Sequence, residues 1–160
     1  MSGGQELQVV TFGLGAETFA VPVTLVREIL DYRETFRIPN GPDYLLGLTE
    51  LRGEGVTTVD FRLRVGLPHV EPTPSTRILV VDVPFEQRVL VLGLVVDRVL
   101  DVSTFDLAEI AAAPDLGVRW PSRYITGVAK RPEGFVVLVD VIEIFSAEET
   151  RSLQPSGIAA

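Results

Sequence analysis

The turn Leu51-Arg52-Gly53-Glu54-Gly55 sets an arginine beside a glycine between two β-like runs, and an arginine on a tight turn is suited to grip a carboxylate or a phosphate. The segment lacks the lysine and Ser/Thr of a P-loop, so the phosphate reading has no motif behind it. Gly13-Leu14-Gly15 follows a strand-like run as a dinucleotide loop would, but the third glycine is missing and another strand, not a helix, comes next. Nucleophilic catalysis has little to draw on. There is no cysteine, and the single histidine, His69, lies in a proline-rich stretch where an exposed loop position is expected rather than a base held by a neighbour. Asp97, Asp101 and Asp106 could suggest an oxygen-ligand metal site, yet their spacing matches no calcium loop and solvated strand-end carboxylates are the expectation. Among 22 acidic residues nothing picks out a pair for glycosidic chemistry. Trp120 and Tyr124 read as core or interface aromatics. No catalytic residue, metal site or cofactor is expected.

The bulk composition narrows the partners. A chain of 160 residues suits one domain, or two very small ones that share an interior. Hydrophobic residues at 46% against 22% charged are enough to build a core, which sets the chain apart from disordered sequences. The formal net charge of -8 repels a phosphate backbone and anionic lipid, so nucleic acid is not an expected partner. The absence of cysteine removes disulfide frameworks and thiolate zinc sites and fits a reducing compartment. Met1 to Glu6 has neither the basic start nor the apolar run of a signal peptide. The most apolar run, Val89 to Val96, ends at Asp97-Arg98, well short of the roughly 20 residues that span a bilayer. A cytoplasmic protein with no direct membrane insertion is expected.

Most of the chain patterns as short strands. Gln8 to Leu14 and Thr18 to Pro22 flank Gly15-Ala16-Glu17 as a hairpin. Val23, Val26, Ile29 and Leu30 fall at helical spacing, which predicts a short amphipathic helix from Val23 to Leu30. After Pro39-Asn40-Gly41-Pro42, a short turn or helix at Asp43 to Leu46 leads into Gly47 to Leu51; Arg52 to Gly55 forms the bend of a second hairpin whose return strand ends near Asp60. Pro68 to Pro74 reads as an exposed connector. Beyond it, Arg77 to Val83, Gln87 to Val96 and Val99 to Phe105 are β-like, with a turn at Pro84-Phe85-Glu86. Ala111 to Gly117 is a loop. Tyr124 to Lys130 and Phe135 to Val139 flank a turn at Arg131 to Gly134, Asp140 to Phe145 closes as a short helix, and Glu148 to Ala160 frays.

The two halves repeat each other. Tyr44-Leu45-Leu46-Gly47 matches Tyr124-Ile125-Thr126-Gly127, and at the same spacing Val56, Val59 and Asp60 fall on Val136, Val139 and Asp140. Upstream, Val23 to Ile29 lies over Leu94 to Leu100, with Arg27 over Arg98. About five short strands per half are too few to bury both faces of an open sheet, so each half is expected to curl into a barrel. The fold expectation is mostly β: two small five-stranded β-barrels, residues 8–67 and 76–146, packed around a shared hydrophobic core with short helices, joined by the linker 68–75 and flanked by flexible tails at 1–7 and 147–160.

Five motifs in order, "FAVPVTLVREIL" at Phe19 to Leu30, "IPNGPDYLLGLTELRG" at Ile38 to Gly53, "VDFRLRVGLP" at Val59 to Pro68, "VLGLVVDRVLDV" at Val91 to Val102 and "YITGVAK" at Tyr124 to Lys130, resemble the CheW coupling-protein family. The resemblance covers about Gln8 to Phe145. It implies a single CheW-like domain over residues 8–146 built from two SH3-like barrels, and a non-enzymatic adaptor of bacterial chemosensory signalling. The implied partners are the regulatory domain of a CheA-type histidine kinase and the cytoplasmic tip of methyl-accepting chemoreceptors, in membrane-associated arrays. The binding positions it carries over are Val26, Glu28, Ile29 and Leu30; Tyr44 and Gly47; Leu51, Arg52 and Gly53; and Gly93 and Gly127, glycines that equally suit close strand packing or a bulge. It also implies an ion pair of Glu28 with Arg52 across the first barrel, two parallel N–H donors meeting two carboxylate oxygens. An apolar patch of Val26, Ile29 and Leu30 would serve the kinase.

Two places depart from the family pattern. Glu50 stands where asparagine is usual, and Gly55-Val56-Thr57-Thr58-Val59 replaces a more apolar strand, which is compatible with a dedicated pathway such as surface motility. Other readings stay open at this point: a CheW-like paralogue that binds only one of the two partners, or a small enzyme or ligand-binding barrel with a pocket between the halves.

Overall fold

Alternation of apolar and polar side chains makes this chain a succession of short strands, and in the computed structural model they form two sheets. The structure describes residues 5–111 and 124–145. The expected loop beyond Ala111, Trp120 and the C-terminal tail therefore lie outside the described residues.

The strands are β1 (Glu6–Leu14), β2 (Glu17–Pro22), β3 (Val26–Asp31), β4 (Leu45–Leu51), β5 (Glu54–Asp60), β6 (Arg77–Phe85), β7 (Arg88–Val96), β8 (Arg98–Asp106), β9 (Ile110–Ala111), β10 (Ile125–Arg131) and β11 (Gly134–Val139). Two one-turn helices, α1 (Phe61–Arg64) and α2 (Val141–Ile144), follow β5 and β11. Both begin alike. The carboxylate of Asp60 accepts from Leu63 N at 3.3 Å and that of Asp140 from Glu143 N at 3.1 Å, each capping an otherwise unpaired first turn. The backbone N–H groups of Asp60 and Asp140 donate to the carbonyls of Tyr44 and Tyr124, both at 2.8 Å. The repeat predicted from Tyr44/Tyr124 and Asp60/Asp140 is thus present atom for atom, and α1 was legible from it although no helix was expected there.

The predicted helix at Val23 to Leu30 is corrected. Val23–Leu25 make a single 3-10 turn and Val26–Asp31 are strand β3, paired antiparallel with β6. A bulge between Val26 and Glu28 inserts Arg27 and breaks the period-two alternation, so that the apolar positions mimic helical spacing. The same bulge corrects the repeat upstream. Glu28 opposes Val80, which opposes Gly93; Asp101 opposes Thr11, which opposes Ala20. Because Gly93 and Ala20 face equivalent parallel partners, Thr58 and Leu138, the true counterpart of Glu28 is Asp101. Arg27 then falls over Leu100, not Arg98, and both are the inserted residues of their bulges.

The division into barrels at residues 8–67 and 76–146 does not follow the sheets. One sheet runs β8-β1-β2-β11-β10-β9 and the other β3-β6-β7-β5-β4. Each sheet takes the leading hairpin of one repeat and the remaining strands of the other, joined by the parallel pairs β2·β11 and β5·β7. The chain crosses between sheets after β2, through the 3-10 turn, and after β7, at Asp97. Local sequence does not specify this exchange, because both hairpins are strand-patterned and the choice of parallel partner is made by contacts between distant segments.

Exchange gives the four crossing strands two buried faces. On β1, Val10, Phe12 and Leu14 face the core shared by the sheets while Val9 points into the first barrel with Ala20, Phe105, Ala129, Val136 and Leu138. On β6, Leu79, Val81 and Val83 join the shared core, and Ile78 and Val80 fill the second barrel with Leu30. Burying side chains at about 25 cal/mol per Å² on both faces makes these strands the most costly to expose. At the junction the Arg64 guanidinium lies 5.4 Å from the Tyr44 ring, 5.1 Å from Tyr124 and 5.8 Å from Phe145, and donates to the Tyr124 hydroxyl at 2.9 Å and to the Ile144 carbonyl. A cation from α1 thus ties the aromatic start of β10 and the end of α2 to the opposite sheet.

Neither sheet is complete within residues 1–67 or 76–160. Each piece expressed alone should show no cooperative unfolding transition and weak near-UV circular dichroism, whereas the two pieces produced together should assemble into a species that melts cooperatively.

Candidate functional site

The hairpin β4–β5 turns on Arg52 and Gly53, whose φ angles are 54° and 85°. Positive φ at both central residues is the type I′ geometry that matches the twist of paired strands. Gly53 adopts it freely; Arg52, with a Cβ, does so at a cost of about 1–2 kcal/mol. The turn is pinned by Glu50, whose carboxylate accepts from Gly53 N at 2.6 Å. Glu50 therefore holds the turn, while Arg52 is left to pair with Glu28.

The expected Glu28–Arg52 pair is present, with a different geometry. One terminal nitrogen of Arg52 donates to both carboxylate oxygens of Glu28 at 3.1 Å each, in place of two parallel N–H groups. Arg52's side chain is 75% exposed and Glu28's 23%, so the pair adds at most about 1 kcal/mol to stability. Its position explains it better than its energy. Glu28 is on β3 and Arg52 on the β4–β5 turn, the two ends of the second sheet, so the pair spans the seam where that sheet curls toward itself. Arg33 Nη1 donates to the Glu50 carbonyl at 3.0 Å in the same neighbourhood. The first sheet has a counterpart: Arg131, at the end of β10, donates to the carbonyl of Thr104 on β8 at 3.0 Å with its guanidinium 4.0 Å from the Phe105 ring. Composition of the hairpins alone did not reveal Arg131 in this role; the repeat, which sets Arg131 beside the counterpart of Arg52, could have.

The remaining residues sort by burial. Ile29 is 43% exposed next to Glu28, and Val26 and Leu51 are half-buried around the seam. Leu30 and Tyr44 are buried, Leu30 inside the second barrel and Tyr44 in the shared core, so the expected apolar patch of Val26, Ile29 and Leu30 reduces at the surface to Ile29 with part of Val26. The equivalent edge strand β8 exposes Leu100 and Val102, which sequence spacing did not single out.

Three glycines pack closely. A Cβ at Gly47, where φ is 140° beside a bulge, would lie 2.0 Å from the Phe36 carbonyl oxygen. One at Gly127, also at a bulge, would lie 2.9 Å from the Ala111 carbonyl oxygen, and one at Gly93 2.9 Å from the Ile78 methyl and 3.1 Å from Thr58 Oγ1. Backbone blocks the first, the Ile110 methyl at 2.4 Å together with the Ala111 carbonyl blocks the second, and side chains alone block the third. Thr58 is itself buried and its hydroxyl shares a 2.7 Å hydrogen bond with that of Thr49, which satisfies this polar group of the return strand inside the barrel.

The carboxylates weighed for metal binding are engaged separately. Asp97 accepts from Gly15 N and from Arg62 Nη1, both at 2.6 Å; Asp101 accepts from the Thr11 hydroxyl at 2.8 Å and from Ser103 at 2.9 Å; Asp106 caps Ala108 N at 2.9 Å. Asp97 is thus an ion-paired, largely covered group rather than a solvated one. No cluster of three His, Cys, Asp or Glu side chains suited to a metal occurs among the described residues. Gly13 and Leu14 end strand β1 and Gly15 opens its hairpin turn, which the neighbouring strand β8 holds: Arg98 donates to the Gly15 carbonyl at 2.8 Å and Asp97 N, just before β8, to that of Gly13 at 3.2 Å. His69, expected to be free in its loop, is held: Nδ1 lies 2.8 Å from Asp60 Oδ2.

The comparisons with known proteins agree with this architecture. A family model described as the CheW-like domain matches residues 8–149. The chemotaxis protein CheW of Klebsiella aerogenes is 36% identical over 146 residues, 91% of this chain and 84% of that protein, and the chemotaxis protein CheW of Rhizobium meliloti is 33% identical over 92% of each. The crystal structure of the scaffolding protein TtCheW from Thermoanaerobacter tengcongensis has the same fold, with a TM-score of 0.78 at 22% identity over 91% of this chain and 96% of that one. An exchanged pair of β-sheets with a braced seam, and a family match across nearly its whole length, make this chain a member of the CheW-like domain family.

Proposed function

We propose that this chain is a non-enzymatic adaptor that couples chemoreceptors to a CheA-type histidine kinase in chemosensory signalling. The observation that carries the reading is the seam of the second barrel, where an exposed apolar Ile29 sits beside a Glu28–Arg52 pair that adds little stability yet fixes the direction of a strained turn. Residues held in a costly backbone conformation persist where the conformation itself is used. An apolar anchor framed by an oriented ion pair suits another protein, such as a barrel of the kinase's regulatory domain or a helix of a receptor tip laid in a groove.

In this reading Ile29, Glu28, Arg52 and the exposed parts of Val26, Leu51 and Gly53 contact partners. Leu30 and Tyr44 support that surface from the core, and Gly47, Gly93 and Gly127 let strands approach. The adaptor would act in the cytoplasm at receptor arrays, brought to the membrane by its partners; no helix among the described residues is long and apolar enough to cross one. The rival ligand pocket between the halves has less support: the space between the sheets is filled by the shared core, and the larger hollow, about 470 Å³, lies away from it along the segment of Arg37, Pro39, Asp43 and Leu45.

Pull-down of kinase regulatory domain and receptor tip, each offered separately, tests the assignment. The Arg52→Asn variant sharpens the test, because asparagine tolerates the left-handed conformation while ending the ion pair. Its unfolding free energy should stay within about 1 kcal/mol of the parent, with coupling lost; unchanged complex affinity and kinase control would assign Arg52 to the turn alone. The glycines should behave oppositely. Gly47→Ala and Gly127→Ala, each of which meets a backbone carbonyl, should lower the melting temperature more than Gly93→Ala, and binding should fall only in step with the folded fraction, as read by thermal denaturation beside a titration at low temperature.

A further inference from the structure

The connector between α1 and β6 carries the only histidine, which lies between a carboxylate of the connector and a second, buried one at the end of β5. His69 Nδ1 is 2.8 Å from Asp60 Oδ2 and its Nε2 is 3.3 Å from Glu71 Oε2. Asp60's side chain is only 6% exposed, and its other oxygen caps α1. A neutral imidazole has one N–H donor and one lone pair, so it can satisfy one carboxylate while turning a lone pair toward the other; only the imidazolium donates to both. We propose that His69 is a proton-operated clasp that fastens the 68–75 connector over the end of the second sheet and loosens it when the ring loses its proton.

The surroundings make the clasp consequential. Val70 and Pro72 of the connector cover a cavity of about 40 Å³ whose other walls include Tyr32, Leu46 and Val95, so release would uncover apolar surface beside the β4 edge. Arg62 Nε holds the Pro68 carbonyl at 2.7 Å on one side, and on the other Thr73 N donates to the Thr76 hydroxyl at 2.8 Å, which leaves the stretch around Val70 and Glu71 dependent on His69. The charged and titratable groups facing the ring are Asp60 from β5, Glu71 from the connector, Arg62 from α1, Asp97 from the end of β7 and Tyr32 after β3. Arg62's charge is committed to Asp97 at 2.6 Å, so the carboxylates dominate.

The hydrogen bond to Asp60 raises the His69 pKa from its ordinary 6.5, against a smaller opposing effect of burial, with Glu71 adding to the rise. The folded pKa therefore lies above the unfolded one. The clasp's contribution is complete below pH 6.5 and is lost as pH rises through the folded value. His69 is half-exposed, which keeps the effect local to the connector rather than global.

NMR titration of the full chain reads the clasp directly. The His69 ring should titrate above 6.5 and move back toward it in Glu71→Gln. Backbone ¹⁵N order parameters of Val70 and Glu71 should fall over the same pH range in the parent and stay level in His69→Gln. An unshifted ring, a titration indifferent to Glu71→Gln, or parental order parameters that do not change with pH each overturns the proposal.

Discussion

Everything in this molecule hangs on the core that the two sheets share. Phe12 and Phe61 stand with ring centroids 5.9 Å apart, and Phe61 and Phe145 6.5 Å apart, so aromatic contacts run from the first sheet through α1 to α2. Because each sheet borrows a hairpin from the other repeat, pulling the two repeats apart would break both parallel ladders as well as expose the core. The two barrels are thereby one cooperative body, and the surfaces on either side of the pseudo-symmetric junction keep a fixed relation. An adaptor that must hold two partners in register needs that rigidity more than it needs a pocket.

Closing a small barrel leaves a seam, and here each seam is handled by an arginine of the outer hairpin. Arg131 uses a backbone carbonyl and an aromatic face, both internal to its barrel. Arg52, itself exposed and held at an unfavourable φ by its turn, uses the partly covered carboxylate of Glu28. The first arrangement is explained by closure alone, the second only partly, and that difference between equivalent positions is what draws attention to the Arg52 surface. The polar groups at the crossings follow a plainer logic: Asp97, where the chain leaves the second sheet, accepts from Gly15 N in the turn of the first and from Arg62 of α1 after the second, and so locks the exchange.

Where sequence reading went wrong, a specific interaction had overridden local pattern. Val23 to Leu30 looked helical because the bulge at Arg27 shifted the alternation, a feature set by pairing with β6 and invisible in one strand alone. His69 looked free because Asp60 comes nine positions earlier, across a helix whose presence had not been anticipated. Leu30 looked available because hydrophobicity cannot tell a barrel's inside from its outside once register has slipped by a residue.

The amino-acid sequence by itself determined the strand-rich class, the hairpins, the Tyr44/Tyr124 and Asp60/Asp140 repeat and the family's motifs, because these rest on side-chain periodicity, turn residues and short-range caps. The partner of Arg52 came from that family resemblance, and the structure changed only the geometry of the pair. Tertiary structure alone decided which hairpin completes which sheet, which apolar residues remain at the surface and how the connector is fastened. Those outcomes depend on contacts between segments far apart in the chain, where two nearly equivalent repeats offer nearly equivalent partners and only the packed whole selects between them.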